Sequence, residues 1–120
     1  MKVRFSFSGI LMLSGVSFSL LASYPVAFGD DSLAKLEPFL KQHCHNCHGS
    51  EKQKGDIRFD SLGKDLTKVQ NLEIWQGMLD QLNLGEMPPK KEPQPRTDEV
   101  KVVVDLLTKP LALAYEKAKS

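Results

Sequence analysis

The sequence has 120 residues, of which 41% are hydrophobic, and it carries 16 Lys and Arg against 15 Asp and Glu. This length fits one small domain, and a nearly neutral chain lacks the basic excess of a nucleic-acid-binding protein. Two cysteines are too few for a miniprotein held together by disulfides. Both cysteines and all three histidines lie in residues 43–48, which read HCHNCH. We therefore expect the chemistry of the protein to be located in that run.

The first 29 residues have the pattern of a secretory signal peptide. Two basic residues near the start precede an uncharged apolar stretch at residues 5–22, and the small residues Ala27 and Gly29 then match a signal-peptidase site. We expect cleavage after Gly29 and export to the periplasm or another extracytoplasmic space. An uncleaved membrane anchor is the alternative, because the apolar stretch approaches the roughly 20 residues that span a bilayer.

Apolar residues recur at helical spacing early in the mature chain, at Leu33, Leu36, Leu40 and Cys44. They predict a helix that runs into the His/Cys run and ends at residues 49–50. Pro38 disturbs this helix. Either the first turns form a separate piece and the regular helix begins near Glu37, or a single helix is kinked at the proline.

A second helix is predicted after an irregular loop. Residues 51–70 show no sustained period and predict a loop, with a short turn at residues 60–62. Asn71 is expected to cap the helix and Gly85 to end it. The apolar face of this helix consists of Leu72, Trp75, Leu79 and Leu82.

The remainder of the chain predicts a loop and a third helix. Four prolines make residues 85–95 an extended loop. The Thr-Asp-Glu sequence at residues 97–99 is expected to cap the third helix, which Pro110 breaks or kinks. No segment has the period of a strand. We therefore predict an all-α domain of three to four helices over residues 30–110, followed by a helical tail at residues 111–120.

The run from Cys44 to His48 is Cys-x-x-Cys-His, the attachment signature of c-type haem. On a helical turn, Cys44, Cys47 and His48 emerge from one face, so two thiols can bond the haem vinyl groups while the imidazole lies under the iron. Three other uses of the two cysteines fit less well. A thioredoxin-like redox pair requires a βαβ context that this all-α pattern lacks, and a structural zinc site requires four ligands that are further apart in sequence. A plain disulfide would leave His48 unexplained. The pattern predicts one covalently attached haem c.

A second axial ligand is expected on the opposite side of the haem iron. Met87 lies between a glycine and two prolines, which present its thioether from a stiff segment. The alternative for Met87 is a methionine in a surface linker. Met78 falls within the second helix and is expected to pack in the core. His43 and His45 lie beside the proximal ligand and cannot reach the opposite haem face, so we assign Met87 as the distal ligand.

Three further residues are candidate haem contacts. Lys54 or Arg58 can hydrogen-bond a haem propionate, and the alternative is that both belong to a solvated basic loop. Trp75 can pack on the porphyrin or donate its indole N–H to a propionate, and the alternative is that it packs in the protein core.

These motifs together resemble a known family, the planctomycete-type cytochrome c domain, which is a class I-like c-type cytochrome module. The resemblance rests on residues 39–49, 52–60 and 85–89 and extends over about residues 36–107. It implies that Cys44 and Cys47 attach the haem, that His48 is the proximal ligand and that Met87 is the distal ligand. It also implies a small cytochrome c-like fold whose helices wrap around one covalently bound haem.

These features predict an exported monohaem cytochrome that performs outer-sphere electron transfer. With His48 and Met87 both on the iron, no position is open for a substrate, so we expect an electron carrier and not an enzyme. Its partners would be a redox protein donor and acceptor, with no nucleic acid, and with a membrane only if the signal segment stays uncleaved.

Two alternatives to this function stay open. One is a peroxidase-like haem enzyme or a gas or redox sensor from whose iron Met87 dissociates. The other is a non-haem extracellular module that binds a partner through residues 52–60. We also expect that replacing both Cys44 and Cys47 prevents folding, because haem would fill the centre of a small domain.

Overall fold

The computed structural model describes residues 31–120, so the predicted signal segment lies outside the described residues. Within this range the chain is all-α, as predicted. Its elements in chain order are α1 (Asp31–Ala34), α2 (Glu37–His43), a 3₁₀ turn (Lys54–Asp56), α3 (Val69–Leu84) and α4 (Thr97–Lys119). Among these described helices, none has the length and hydrophobicity that a membrane span requires.

Pro38 separates two helical pieces, which confirms the first of the two predicted alternatives. It lies in the first turn of α2, where a missing backbone N–H costs little because that group has no helical acceptor. The apolar face spans both pieces, since Leu33, Leu36 and Leu40 are all at most 1% exposed. The predicted end at residues 49–50 is wrong. α2 ends at His43, because the backbone of Cys44 leaves the helical region with φ −121°.

α3 ends as predicted but begins earlier than expected. Gly85 adopts a left-handed conformation with φ +68°, and its N–H donates to the carbonyl groups of the last turn. The prediction that Asn71 caps the helix is wrong. Asn71 lies inside the first turn, and its side-chain amide donates to the Asp65 carbonyl at 2.9 Å.

α4 begins with a capping box centred on Arg96. The carboxylate of Glu99 accepts a hydrogen bond from the Arg96 backbone N–H at 2.9 Å. Thr97 is the first helical residue and not the cap, so the expected start of the helix is correct to within one residue. Two acidic residues in the first turn, Asp98 and Glu99, suit the positive end of the helix dipole.

Pro110 does not break α4, which continues to Lys119. Because proline has no N–H, the carbonyl of Leu106 loses its regular helical donor. The hydroxyl of Ser32, on α1, donates to that carbonyl at 3.4 Å. Leu111, in the next position, is only 1% exposed, so the packed interior extends past residue 110, where the sequence pattern suggested a boundary.

The core forms where α3 packs along α4 and α1 lies against α4. Its buried residues are Leu33, Leu36, Leu40, Leu72, Trp75, Met78, Leu79, Leu82, Val103, Leu107 and Leu111. Burial of these apolar side chains drives the packing of the helices. The His/Cys run and the loop that follows it lie at one side of this core.

Candidate haem-binding site

A cleft of about 610 Å³ is lined by the His/Cys run, the loop around the 3₁₀ turn, α3 and the proline-rich segment. Cys44, Cys47, His48 and Met87 all line this cavity, although Met87 lies far from the other three in sequence. Its volume is within the range of small-molecule and cofactor sites, which is about 300–1,000 Å³. The structure therefore brings the four predicted haem residues to a single cavity.

The remaining walls of the cavity fit a large, mainly apolar group. Its apolar lining includes Ile57, Phe59, Ile74, Met78, Leu82 and Pro88. Polar side chains also line it, among them Lys54 and Gln81. An apolar macrocycle that carries two carboxylates requires such a combination of walls, so the residues present fit haem.

The attachment motif itself is a hydrogen-bonded turn that follows α2. The backbone N–H groups of Cys47 and His48 both donate to the Cys44 carbonyl, at 3.1 and 2.9 Å. This turn keeps the two thiols and the imidazole on the same side, as the spacing predicted. Gly49 then has no room for a side chain, because a Cβ there would collide with the His45 carbonyl oxygen.

Both cysteines are free thiols and are partly buried. Burial raises the pKa of the Cys44 thiol to about 12, and the neighbouring Cys47 contributes to the rise. Cys44 therefore presents a neutral sulfur in this structure at physiological pH.

The loop after the motif folds back and hydrogen-bonds to it. The N–H of Lys54 donates to the Cys47 carbonyl and the N–H of Phe59 donates to the His48 carbonyl, both at 2.9 Å. Gly55 makes the reversal possible, since its φ of +65° is a conformation that favours glycine. Phe59 also packs edge-on against the His48 ring, with 5.4 Å between ring centroids. The loop thus holds both the backbone and the side chain of His48, a role that the sequence did not indicate.

The two candidate basic residues of this loop lie in different environments. Lys54 lines the cavity. Arg58 lies outside the cavity lining and forms a two-point ion pair with Asp60, at 2.7 and 3.1 Å. The hydrogen bonds of this pair raise the pKa of Arg58 and lower the pKa of Asp60. Of the two, only Lys54 therefore belongs to the cavity lining.

Trp75 is a core residue, which was one of its two predicted alternatives. It is 1% exposed, and its indole N–H donates to the Gly63 carbonyl at 2.9 Å. It lies behind the cavity wall, with its ring 6.4 Å from that of Phe59. The indole donor is therefore engaged by the protein backbone and not turned toward the cavity.

Both methionines of the predicted mature chain line the cavity, but in different ways. Met78 is 6% exposed and belongs to the core, as expected, while its side chain also forms part of the cavity wall. Met87 is 41% exposed and lies in the loop after Gly85. Sequence reasoning missed the position of Met78 at the cavity. The sequence pattern that could have revealed this position is a second apolar stripe on α3, formed by Ile74, Met78 and Leu82 at spacings of four.

Gln94 holds the loop that carries Met87, and sequence reasoning missed this residue as well. Its side-chain amide lies within hydrogen-bond distance of three carbonyl oxygens, those of Pro88 (3.2 Å), Pro89 (2.9 Å) and Glu92 (3.0 Å). Prolines lack the N–H groups with which a loop usually bonds to itself. Gln94 thus adds side-chain donors to a loop whose backbone supplies the Glu92 N–H to the Pro89 carbonyl at 2.8 Å.

The two other histidines flank the motif. His43 lines the cavity, and its ring lies 4.8 Å from that of Phe39. The Nε2 atoms of His43 and His45, and Nδ1 of His48, are buried and have no hydrogen-bond partner among residues 31–120. Of these three histidines, His43 and His48 line the cavity and His45 does not, so the unpartnered atoms of His43 and His48 are the ones that a bound group could meet.

The sequence model of one protein family, described as Planctomycete cytochrome C, matches residues 44–91. This stretch is a planctomycete-type cytochrome c domain. The matched segment begins at Cys44 and includes Met87, so it spans the attachment motif, the loop that follows it, α3 and the first part of the proline-rich loop. The family implies haem c as the cofactor and electron transfer as the role of the domain. No curated protein and no solved structure matches the chain.

Proposed function

We propose that this planctomycete-type cytochrome c is an exported monohaem electron carrier whose iron is ligated by His48 and Met87. The observation that carries the proposal is the shared cavity, whose lining includes Cys44, Cys47 and His48 together with Met87. The carrier would accept electrons from one redox protein and pass them to a second.

Each protein group has a separate task in this proposal. Cys44 and Cys47 would hold the haem through thioether bonds, while the loop at residues 52–59 keeps the His48 imidazole oriented through Phe59. Bound haem supplies one-electron chemistry between Fe(III) and Fe(II). A His/Met ligand pair raises the reduction potential, which suits delivery of electrons toward an oxidising partner.

Export is supported by the pattern of residues 1–29. Attachment of haem c requires reduced thiols outside the cytoplasm, so a secretory signal and the attachment motif are consistent with each other. Expression of the full chain in a bacterium should place it in the periplasmic fraction, with an N-terminus at Asp30. A protein retained in the membrane with residues 1–29 intact would favour the anchor.

Haem staining tests the cofactor. The full chain, expressed together with a haem c maturation system, should stain for haem after denaturing electrophoresis, because only thioether-bound haem survives. A Cys44→Ala, Cys47→Ala double variant serves as the control and should not stain. A wild-type protein that does not stain would refute the proposal and favour a non-haem binding module.

A matched pair of methionine variants tests the axial ligand. The ferric wild-type protein should show the near-infrared band of a methionine–iron bond and should bind cyanide slowly. Met87→Leu should abolish that band, whereas Met78→Leu, the same change at the other cavity methionine, should retain it. Loss of the band in Met78→Leu alone would transfer the assignment to Met78. A wild-type protein that lacks the band and binds cyanide at once would favour a haem enzyme or sensor.

A further inference from the structure

α3 contains one glycine, Gly77, in the middle of the wall that it contributes to the cavity. The α3 residues on this wall are Glu73, Ile74, Gly77, Met78, Gln81 and Leu82, which form one continuous stripe along the helix. Glycine inside a helix is unfavourable relative to alanine, because it loses more backbone freedom on folding. A glycine in this position therefore calls for a physical reason.

The surroundings of Gly77 supply that reason. A Cβ built on Gly77 would meet no atom within 4 Å among the described residues, so neither neighbouring helices nor the loops require glycine for close packing. Its φ is not in the left-handed region, unlike those of Gly55 and Gly85, so the backbone conformation does not require glycine either. What remains next to Gly77 is the cavity.

We propose that Gly77 is the point where the haem ring lies directly against the backbone of α3, and that any side chain at residue 77 displaces the ring. The inference rests on the proposed haem binding and adds a positioning residue to it. The residues that flank Gly77 on the stripe, Ile74 and Met78, form apolar shoulders on either side of this gap. Because dispersion attraction falls steeply with separation, a ring that reaches the backbone at Gly77 gains contacts that a side chain there would prevent.

The experiment compares Gly77→Ala and Gly77→Leu with Asn83→Leu, all prepared as full-length haem-loaded proteins. Asn83 is exposed on α3 and lies outside the cavity lining, so its variant controls for an added leucine on the same helix. The readouts are haem content per chain, the near-infrared methionine band, the rate of cyanide binding and the thermal midpoint.

We expect Gly77→Leu to lose the near-infrared band, bind cyanide faster and carry less haem, while Asn83→Leu matches the wild-type protein. If Gly77→Leu does not accumulate, Gly77→Ala decides. Alanine has the higher helix propensity, so without a ring at residue 77 it should raise the thermal midpoint and leave the spectrum unchanged. That result would overturn the inference, as would a wild-type band in Gly77→Leu. A weakened band and a lower midpoint in Gly77→Ala would support it.

Failure of this inference is distinguishable from failure of the proposed function. If the wild-type protein does not stain for haem, the proposed function fails. If the wild-type protein stains and shows its methionine band, and both Gly77 variants do the same, only the role of Gly77 is refuted.

Discussion

The loop that carries Met87 should open more readily when Gln94 loses its amide donors. Gln94→Glu keeps the size of the side chain but, at neutral pH, replaces the NH₂ group with an anionic oxygen that faces the carbonyl oxygens of Pro88, Pro89 and Glu92. The Pro89 carbonyl keeps the bond that it accepts from the Glu92 backbone N–H, but the prolines have no N–H groups to replace the bonds that Gln94 makes. We therefore expect the closed form of the loop to lose stability.

The size of this loss follows from the geometry. One amide NH₂ has two hydrogens, so at most two of the three contacts are well formed at once. A neutral hydrogen bond contributes about 0.5–1.5 kcal/mol, and exposed bonds such as those to Pro89 and Glu92 belong at the lower end, so the pair is worth about 1 kcal/mol. Since about 1.4 kcal/mol corresponds to a factor of ten, the open population should rise roughly fivefold.

The assay is the rate of cyanide binding to the ferric haem protein. In the proposed ligation cyanide must replace Met87, so the rate of cyanide binding reports how often the loop opens. Gln94→Glu should bind cyanide about fivefold faster than the wild-type protein, in line with the population estimate. Gln70→Glu, an identical change at an exposed position of α3, should bind at the wild-type rate. Equal rates for Gln94→Glu and wild type would refute the argument that Gln94 holds the loop closed.

Three further predictions concern stability. Ser32→Ala should destabilise the protein by about 0.5–1 kcal/mol in denaturant melts, and by less in a Pro110→Ala background, where a helical N–H serves the same carbonyl; equal losses in both backgrounds would contradict this account of the helix. Replacing both Cys44 and Cys47 with alanine should abolish cooperative helical melting in circular dichroism, because the cavity stays unfilled; a well-folded variant would show that the peptide core suffices. Asp60→Asn should lower stability at neutral pH, and this difference should vanish as the pH falls below the lowered pKa of Asp60, because the protonated carboxyl no longer pairs with its guanidinium partner. A difference that persists at low pH would rule out the ion pair as its cause.

Local sequence patterns were sufficient where the relevant contacts lie within a turn or along one helix. Cys44, Cys47 and His48 share a side because residues three and four apart are neighbours on a helical turn, and this holds even though α2 itself ends at His43. Gly85 ends α3 because only a residue that tolerates positive φ fits its position. Helix starts were less predictable. Asn71 was expected to cap α3, but it lies inside the first turn and its side-chain amide donates to the Asp65 carbonyl.

Side-chain partners outside the helices were not accessible from these patterns. The sequence left open whether Arg58 faces a propionate or belongs to a solvated basic loop, and the folded loop pairs it with Asp60. The indole of Trp75 likewise bonds to Gly63, whose position depends on how the preceding loop returns toward α3. Such hydrogen-bond partners depend on how the loop turns back on itself. The spacing of apolar residues, which predicts helices and strands, carries no information about that path.

Residue chemistry and spacing over a few positions are enough to predict the attachment motif, the all-α class and the proline-rich loop around Met87. The cavity shared by Met87 and His48, the donors that Gln94 gives to that loop and the open space beside Gly77 could be recognised only in the folded chain. These features arise where separate segments meet, and their positions depend on the packing of the whole core.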